Sequence, residues 1–336
     1  MRKTWRLNVL FVVISIIVGF MGIEFAYRLY LNLRYESVVP NEIGRFDPHL
    51  GWSLTPKSRA VSRMVGSIEY KINSKGLRDD EYEYNKPVGV NRIVIIGDSR
   101  TFGFGVPIKK HFTYLLEGYC ENTEVINLGI AGFGVDQEFL FLQSEGIKYE
   151  PDLVIAYVAH YGNHRHMHTV RFGKSKPKFE LRRGKLTLVN HPVVELPRDD
   201  QHILNSAVLR QLVTLFVKKA GENDLNAEVA QDVENMKDQN FMAELHKIGQ
   251  AIIKEMKEFS NLNNSSFLLV TPIPKLIEFG RLNGIHVLNV GDALNNPLFA
   301  LPDGLQHINE AGNGVLAWEI QKFIRANELV ICGNKL

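Results

Sequence analysis

Five short stretches, residues 92–96, 124–128, 153–158, 267–271 and 285–290, are apolar and mostly β-branched. Between them, or after the last, residues 136–146, 241–259 and 310–326 carry apolar side chains at helical spacing. A strand that is apolar on both faces must be covered on both faces, and strands that alternate with helices are joined in parallel. The expectation is an α/β fold around a central parallel sheet, with ligands bound beyond the carboxyl ends of its strands. The 336 residues, 45% hydrophobic and 23% charged, suffice for one large domain with a substantial core, or two small ones. A formal charge of +2, with no basic stretch interleaved with aromatics, argues against a nucleic-acid partner. Cys120 and Cys332 are too few for a disulfide scaffold and have no metal-ligand spacing. They read by default as unpaired thiols, with pairing open in an oxidising compartment.

The N-terminus carries a second constraint. Arg2, Lys3 and Arg6 precede residues 7–23, a charge-free run that contains LFVVISIIVGFMGI. As a helix at about 1.5 Å per residue it crosses most of a ~30 Å hydrocarbon core, and residues 25–33 can continue it. The cations favour the cytoplasmic side, which places the rest of the chain outside the membrane. No clear small-x-small cleavage site follows, so residues 1–33 are expected to form an uncleaved anchor. Residues 34–90, punctuated by Pro40, Pro48, Gly51, Pro56, Gly66, Gly76 and Pro87, read as an extended lead-in with short strands around 68–72. Residues 91–330 form the main domain, interrupted by an insert at about 171–225. There KPKFELRRGKLTLVN reads as two strands about a turn, and 203–219 as a helix whose Leu204, Val208, Leu212, Leu215 and Phe216 pack in the core. Arg171, Lys174, Lys176, Lys178, Arg182, Arg183 and Lys185 are expected on a solvated face, which would also suit an anionic glycan or lipid headgroup.

The first strand runs directly into Gly97-Asp98-Ser99, in RIVIIGDSRTFGFGV, so Ser99 falls on the rim where substrates dock. Taken alone, this tripeptide reads equally as a turn with a helix cap. It is followed by INLGIAGFGVDQ, YGN and LPDGLQHINEAG. With IGDSRTFGFG, these blocks resemble, in content and order, the SGNH, or GDSL, hydrolase family over residues 92–326. The lead-in stretches FDPHLGWSLTPKS and YKINSKGLRDDEY look like the segment that precedes this domain in membrane-anchored bacterial members. The resemblance implies a flavodoxin-like, three-layer α/β/α fold and a serine nucleophile activated by a C-terminal Asp/His pair.

Carried onto this chain, the nucleophile is Ser99, its base His307 and the orienting carboxylate Asp303. The family generally has three residues from Asp to His, whereas this chain has four, a spacing that a turn of helical type can still bring to one side. The oxyanion donors implied are the backbone N–H of Ser99, that of Gly132 and the Asn163 amide. Gly132 reads equally as a turn glycine with φ > 0. Asn163 stands about two residues late in AHYGNHRHMH, with His160 in the same loop as its competitor. His160, His164, His166 and His168 form an HxxxHxHxH pattern that also suits a metal, but they are expected to form a polar rim or a substrate surface.

The function expected is that of a membrane-anchored esterase of O-acylated, most simply O-acetylated, glycans, acting through an acyl-Ser99 intermediate. The same triad would serve an O-acyltransferase, and the displaced Asn163 leaves room for a catalytically impaired glycan-binding protein. The triad calls for no metal or organic cofactor. The location expected is the bacterial cytoplasmic membrane, single-pass, with the catalytic domain on the periplasmic side.

Overall fold

A computed structural model of the protein describes residues 2–34, 42–62, 65–159, 164–196, 234–235, 237–303 and 307–334. The chain divides into two compact units, Met1–Ser37 with Leu196–Asn223, and Val38–Glu195 with Asp224–Leu336. In the first unit, Arg2–Arg34 is one continuous helix, α1. Its described side chains expose Phe11, Val12, Ile16, Val18, Met21 and Phe25, among others. Among the described residues no helix is long and apolar enough to cross a membrane. The helix expected at 203–219 lies outside the described residues.

The second unit begins with two hairpins, β1 (Gly44–Asp47) with β2 (Gly51–Leu54), and β3 (Arg59–Ser62) with β4 (Ile68–Lys71). The central sheet follows, built from β5 (Asn91–Gly97), β7 (Thr123–Gly129), β8 (Leu153–Tyr157), β13 (Ser266–Thr271) and β14 (His286–Asn289), all parallel. Their spatial order is β14-β13-β8-β5-β7. Read from the β7 edge, the chain order within the sheet is second, first, third, fourth, fifth, the flavodoxin-like arrangement, with its switch point between β5 and β8. A ligand site is therefore favoured beyond the carboxyl end of β5, where Gly97 pairs with both Gly129 and Tyr157.

Alternate residues of each strand enter opposite cores, because strand side chains have a period of two. Val94, Ile96, Ile126, Leu128, Val154 and Leu269 pack on one side with Phe139 and Leu140 of α4 (Val135–Ser144) and Ile248, Ile252 and Ile253 of α5 (Gln239–Leu262). Ile93, Ile95, Val125, Ile155, Leu268 and Val270 pack on the other, with Phe112 and Leu116 of α3 (Phe112–Tyr119) and Leu316, Ile320 and Ile324 of α8 (Glu310–Ala326). Two shorter helices, α6 (Pro274–Leu282) and α7 (Gly291–Leu294), flank β14. This is a three-layer α/β/α arrangement. The lead-in belongs to the same core, for Ile43, Leu50, Trp52, Leu54, Tyr70, Ile72 and Leu77 are buried in the first cluster.

Three expectations need correction. Cys120 and Cys332 form a disulfide, with Cα atoms 4.5 Å apart. The chain's end returns as β15 (Gly333–Asn334) to pair with β6 (Cys120–Glu121), a contact across 212 residues that spacing could not announce. The insert's cations are not all solvated: Lys176 is fully buried on Asp136, with Pro177 O accepting from its ammonium at 2.8 Å, and Arg171 is buried too. Nor do His164 and His166 stand on a polar rim, and His160 lies outside the described residues. His164 and His166 are buried, and His166 Nε2 donates to Leu245 O at 3.0 Å, with burial pushing its pKa down to about 4. The insert's two strands, β11 (Lys178–Arg182) and β12 (Lys185–Val189), pair antiparallel, and just before them β9 (Val170–Arg171) and β10 (Lys174–Ser175) make a tighter hairpin.

Candidate active site

Ser99 opens α2 (Ser99–Phe102), a single turn that follows β5 after one residue. Asp98 caps the turn, its Oδ1 accepting from Arg100 N–H at 3.0 Å, and Gly103 closes it in the left-handed conformation, φ 83°. Such a tight strand-to-helix turn needs room behind it. A Cβ on Gly97 would lie 2.1 Å from Thr101 Oγ1, and one on Gly129 would lie 2.1 Å from Phe102 N. The two glycines that end the paired strands thus let the serine-bearing turn sit down on the sheet. From the lead-in, Arg78 Nη1 donates to Phe102 O at 2.9 Å and its Nη2 to Val106 O at 2.6 Å, so the turn's exposed carbonyls are satisfied by a buried guanidinium.

The described residues bring Ser99, His307 and Asp303 together. His307 Nε2 lies 2.7 Å from Ser99 Oγ, and His307 Nδ1 is hydrogen-bonded to Asp303 Oδ2. The two side chains of the Asp303/His307 pair are 2% and 6% exposed, so neither is screened by bulk water. The His307 ring also packs on Phe104, at 4.6 Å between centroids. Burial lowers the imidazole pKa below its ordinary value, and the Asp303 hydrogen bond and charge oppose that shift. Asp303 stands in a turn, and the segments on either side of it are held together by the antiparallel Ala300–Ile308 bridge and by Leu301 N–H donating to His307 O at 2.7 Å.

Gly132 lies in a turn of residues 130–133 at the carboxyl end of β7. Phe133 N–H donates to Ile130 O at 3.2 Å, and Gly132 has φ 85°, the geometry of a type II turn. Both readings of this residue therefore apply together: the turn requires glycine, and it stands on the rim next to the serine turn, since Ile130 N–H donates to Gly97 O at 3.1 Å. Among the described residues neither Ser99 N–H nor Gly132 N–H donates to a backbone or side-chain acceptor. Asn163 and His160 lie outside the described residues.

Sequence reasoning passed over Arg165. Its Nη1 donates to Asp98 Oδ2 at 2.9 Å and to Phe133 O at 3.0 Å, tying the serine turn to the glycine turn. Only a structure could place it, because a lone arginine among four histidines carries no pattern. Behind it, Glu138 is buried, and desolvation, reinforced by the Asp98 charge, holds its carboxyl well above the usual carboxylate range. A cavity of about 10 Å³ is lined by Asp98, Glu138, Arg165 and His166, room for about one water. A larger cleft of about 530 Å³ at the ends of β13 and β14 includes neither Ser99 nor His307. Among the described residues no group of three or more His, Cys, Asp or Glu side chains is arranged to hold a metal.

No family model and no curated protein matches the sequence. The chain is similar to solved structures of lipolytic hydrolases. A putative acylhydrolase from Bacteroides fragilis NCTC 9343 shares 15% identity over 74% of this chain and 93% of its own, with a TM-score of 0.41. A putative lipolytic protein of the G-D-S-L family from Desulfitobacterium hafniense DCB-2 shares 15% over 69% and 99%, at 0.37. A two-domain esterase active on acetylated mannans shares 13% over 73% and 51%, at 0.39. At such identities and TM-scores, function rests on the geometry of the site itself.

Proposed function

We propose that the chain is a serine esterase working through an acyl-Ser99 intermediate. The observation that carries this reading is the 2.7 Å contact from His307 Nε2 to Ser99 Oγ, with Asp303 on the other ring nitrogen. A serine hydroxyl is a weak nucleophile at its own pKa and needs a base at that distance. In the first step Ser99 Oγ attacks the ester carbonyl carbon and its proton passes to His307 Nε2. Asp303 holds the tautomer with the proton on Nδ1 and stabilises the imidazolium. The carbonyl oxygen becomes an oxyanion facing the N–H groups of Ser99 and Gly132, with the Asn163 amide proposed as a third donor. Collapse expels the alcohol, which takes the proton from His307, and water repeats the sequence to release the acid and restore Ser99.

The substrate we propose is an O-acylated, most simply O-acetylated, glycan. Phe172 supports it: the residue sits at the tip of the β9–β10 hairpin with φ 53°, a costly conformation for a bulky residue, and is 40% exposed while touching the Gly132 turn. It offers a flat apolar face beside the reacting centre. We further propose that α1 anchors the protein in the bacterial cytoplasmic membrane, with the site on the periplasmic side. The run at 7–23 behind three cations supports this, as does a disulfide in the second unit, a bond that persists in oxidising compartments. The test supplies an acetyl ester with and without a glycan acceptor. Free acetate in both cases supports hydrolysis, acetate moved onto the sugar makes the protein an O-acyltransferase, and glycan binding without turnover contradicts an enzyme.

A further inference from the structure

We propose that Trp52, in the lead-in, is a positioning residue that aims the Gly132 N–H at the developing oxyanion. The inference rests on the esterase reading above. Its basis is the peptide unit between Ala131 and Gly132. In a trans peptide the C=O and N–H point in opposite directions, so fixing one fixes the other. Trp52 Nε1 donates to Ala131 O at 3.2 Å in a buried bond that joins residues 79 apart. That bond commits the carbonyl to the lead-in side and leaves the Gly132 N–H directed away from it.

The constraint matters because of the turn type. Type I and type II turns share the same end residues and differ by a flip of the central peptide, which exchanges the directions of its C=O and N–H. Gly132, having no Cβ, can occupy either form. The observed φ of 85° is the type II form, and reversal would break the Trp52 bond. The Phe133–Gly134 peptide, next but one along the loop, is fixed as well. Arg165 Nη1 holds Phe133 O at 3.0 Å, and Gly134 N–H donates to Gln137 Oε1 at 3.2 Å. Gln137 Nε2 in turn donates to Leu50 O at 2.8 Å, just before β2. The lead-in therefore grips the oxyanion loop at two points, and Arg165 grips it at a third while also holding Asp98 beside Ser99. Trp52 touches no reacting atom. It acts by removing the alternative peptide orientation before substrate arrives, which is the preorganisation on which oxyanion stabilisation depends.

Trp52→Phe keeps an aromatic ring in the core and removes the N–H donor together with part of the indole's volume. With p-nitrophenyl acetate as substrate, kcat should fall by about tenfold, less than loss of the donor itself, with KM within about twofold. Affinity for a boronic acid, which forms a tetrahedral oxyanion on serine, should weaken by the same factor, while the affinity for acetate stays constant. Packing loss alone would instead raise KM, or lower the fraction of protein that titrates with a fluorophosphonate, and leave the boronate affinity of the active fraction intact. Trp52 replaced by β-(3-benzothienyl)alanine supplies a second variant, which keeps the fused-ring volume and lacks the N–H; it too should lose kcat and boronate affinity together, and it decides the matter if Trp52→Phe does not fold. Unchanged kcat in the folded variant, or a kcat loss without loss of boronate affinity, overturns the proposal. If wild-type protein neither turns over the ester nor labels at Ser99, the esterase reading falls and takes this inference with it. An active wild type matched by Trp52→Phe removes the inference alone.

Discussion

Replacing Gly129 with alanine tests how Ser99 is seated. The added Cβ would lie 2.1 Å from Phe102 N, 2.2 Å from Thr101 C and 2.7 Å from Thr101 O, all backbone atoms. Ordinary contact requires about 3.4 Å, and backbone cannot rotate away as a side chain does, so α2 must retreat by about 1 Å. Gly129 is not in the left-handed region, so the loss is steric and not conformational. Overpacking of this kind costs roughly 1–3 kcal/mol, which lowers the melting temperature by about 2–4 °C per kcal/mol. The effect on chemistry should be larger. Ser99 is the first residue of α2, and a 1 Å shift would carry its Oγ from 2.7 Å to beyond hydrogen-bond reach of His307 Nε2. Misplacement by that distance costs about 100-fold in kcat. Calorimetry and steady-state hydrolysis of an acetyl ester measure both. Gly118→Ala is the control, in the exposed face of α3 with nothing within 4 Å, and should raise stability by roughly 0.5–1 kcal/mol with activity unchanged. A Gly129→Ala protein with wild-type kcat and melting temperature would refute the steric account of the turn.

Three further predictions concern the pair, the bridge and the undescribed loop. Because burial holds the His307 pKa below its ordinary value, the imidazole stays neutral further into acid; kcat/KM should rise with pH through an apparent pKa below about 6.5, and Asp303→Asn, which removes an opposing upward influence, should move that limb lower still and cut kcat by as much as about 10⁴-fold. Loss of the disulfide in Cys120→Ala/Cys332→Ala should cost roughly 2–5 kcal/mol in chemical unfolding, and equal stability of the oxidised and reduced proteins would speak against the pairing. Asn163→Ala should lower kcat by about 100-fold with little change in KM, and His160→Ala should be mild; the reverse result makes His160 the donor, and two near-normal variants leave the site to backbone donors alone.

Much of the sheet was legible because its signal is local. The five apolar runs appear as β5, β7, β8, β13 and β14, shifted by a residue or two at their ends, since both faces of β5, β7, β8 and β13 are largely buried, whereas the edge strand β14 is covered over only part of its length. Ser99 and His307 could be proposed as partners only through the likeness of two separate blocks; no local pattern joins residues 208 apart. What stayed hidden is long-range. Trp52 resembles any apolar residue in a polar lead-in until its indole is seen on Ala131, and Lys176 resembles any lysine in a basic run until Asp136 is found beside it. Charge counts describe a surface, and they fail wherever a carboxylate from another element makes burial of a cation tolerable. The disulfide escaped for the same reason, since β6 and β15 are neighbours in the fold and 212 residues apart in the chain.

The central claim is that Ser99 is the nucleophile and His307 its base. A fluorophosphonate probe followed by intact-mass and peptide analysis measures it directly on the full chain. The account predicts a single adduct on Ser99, none in Ser99→Ala, and labelling slowed by orders of magnitude in His307→Ala, with the double variant no less active in ester turnover than the worse single one. A folded protein that labels at another residue, or a Ser99→Ala variant that keeps turnover within about tenfold of wild type, would contradict it.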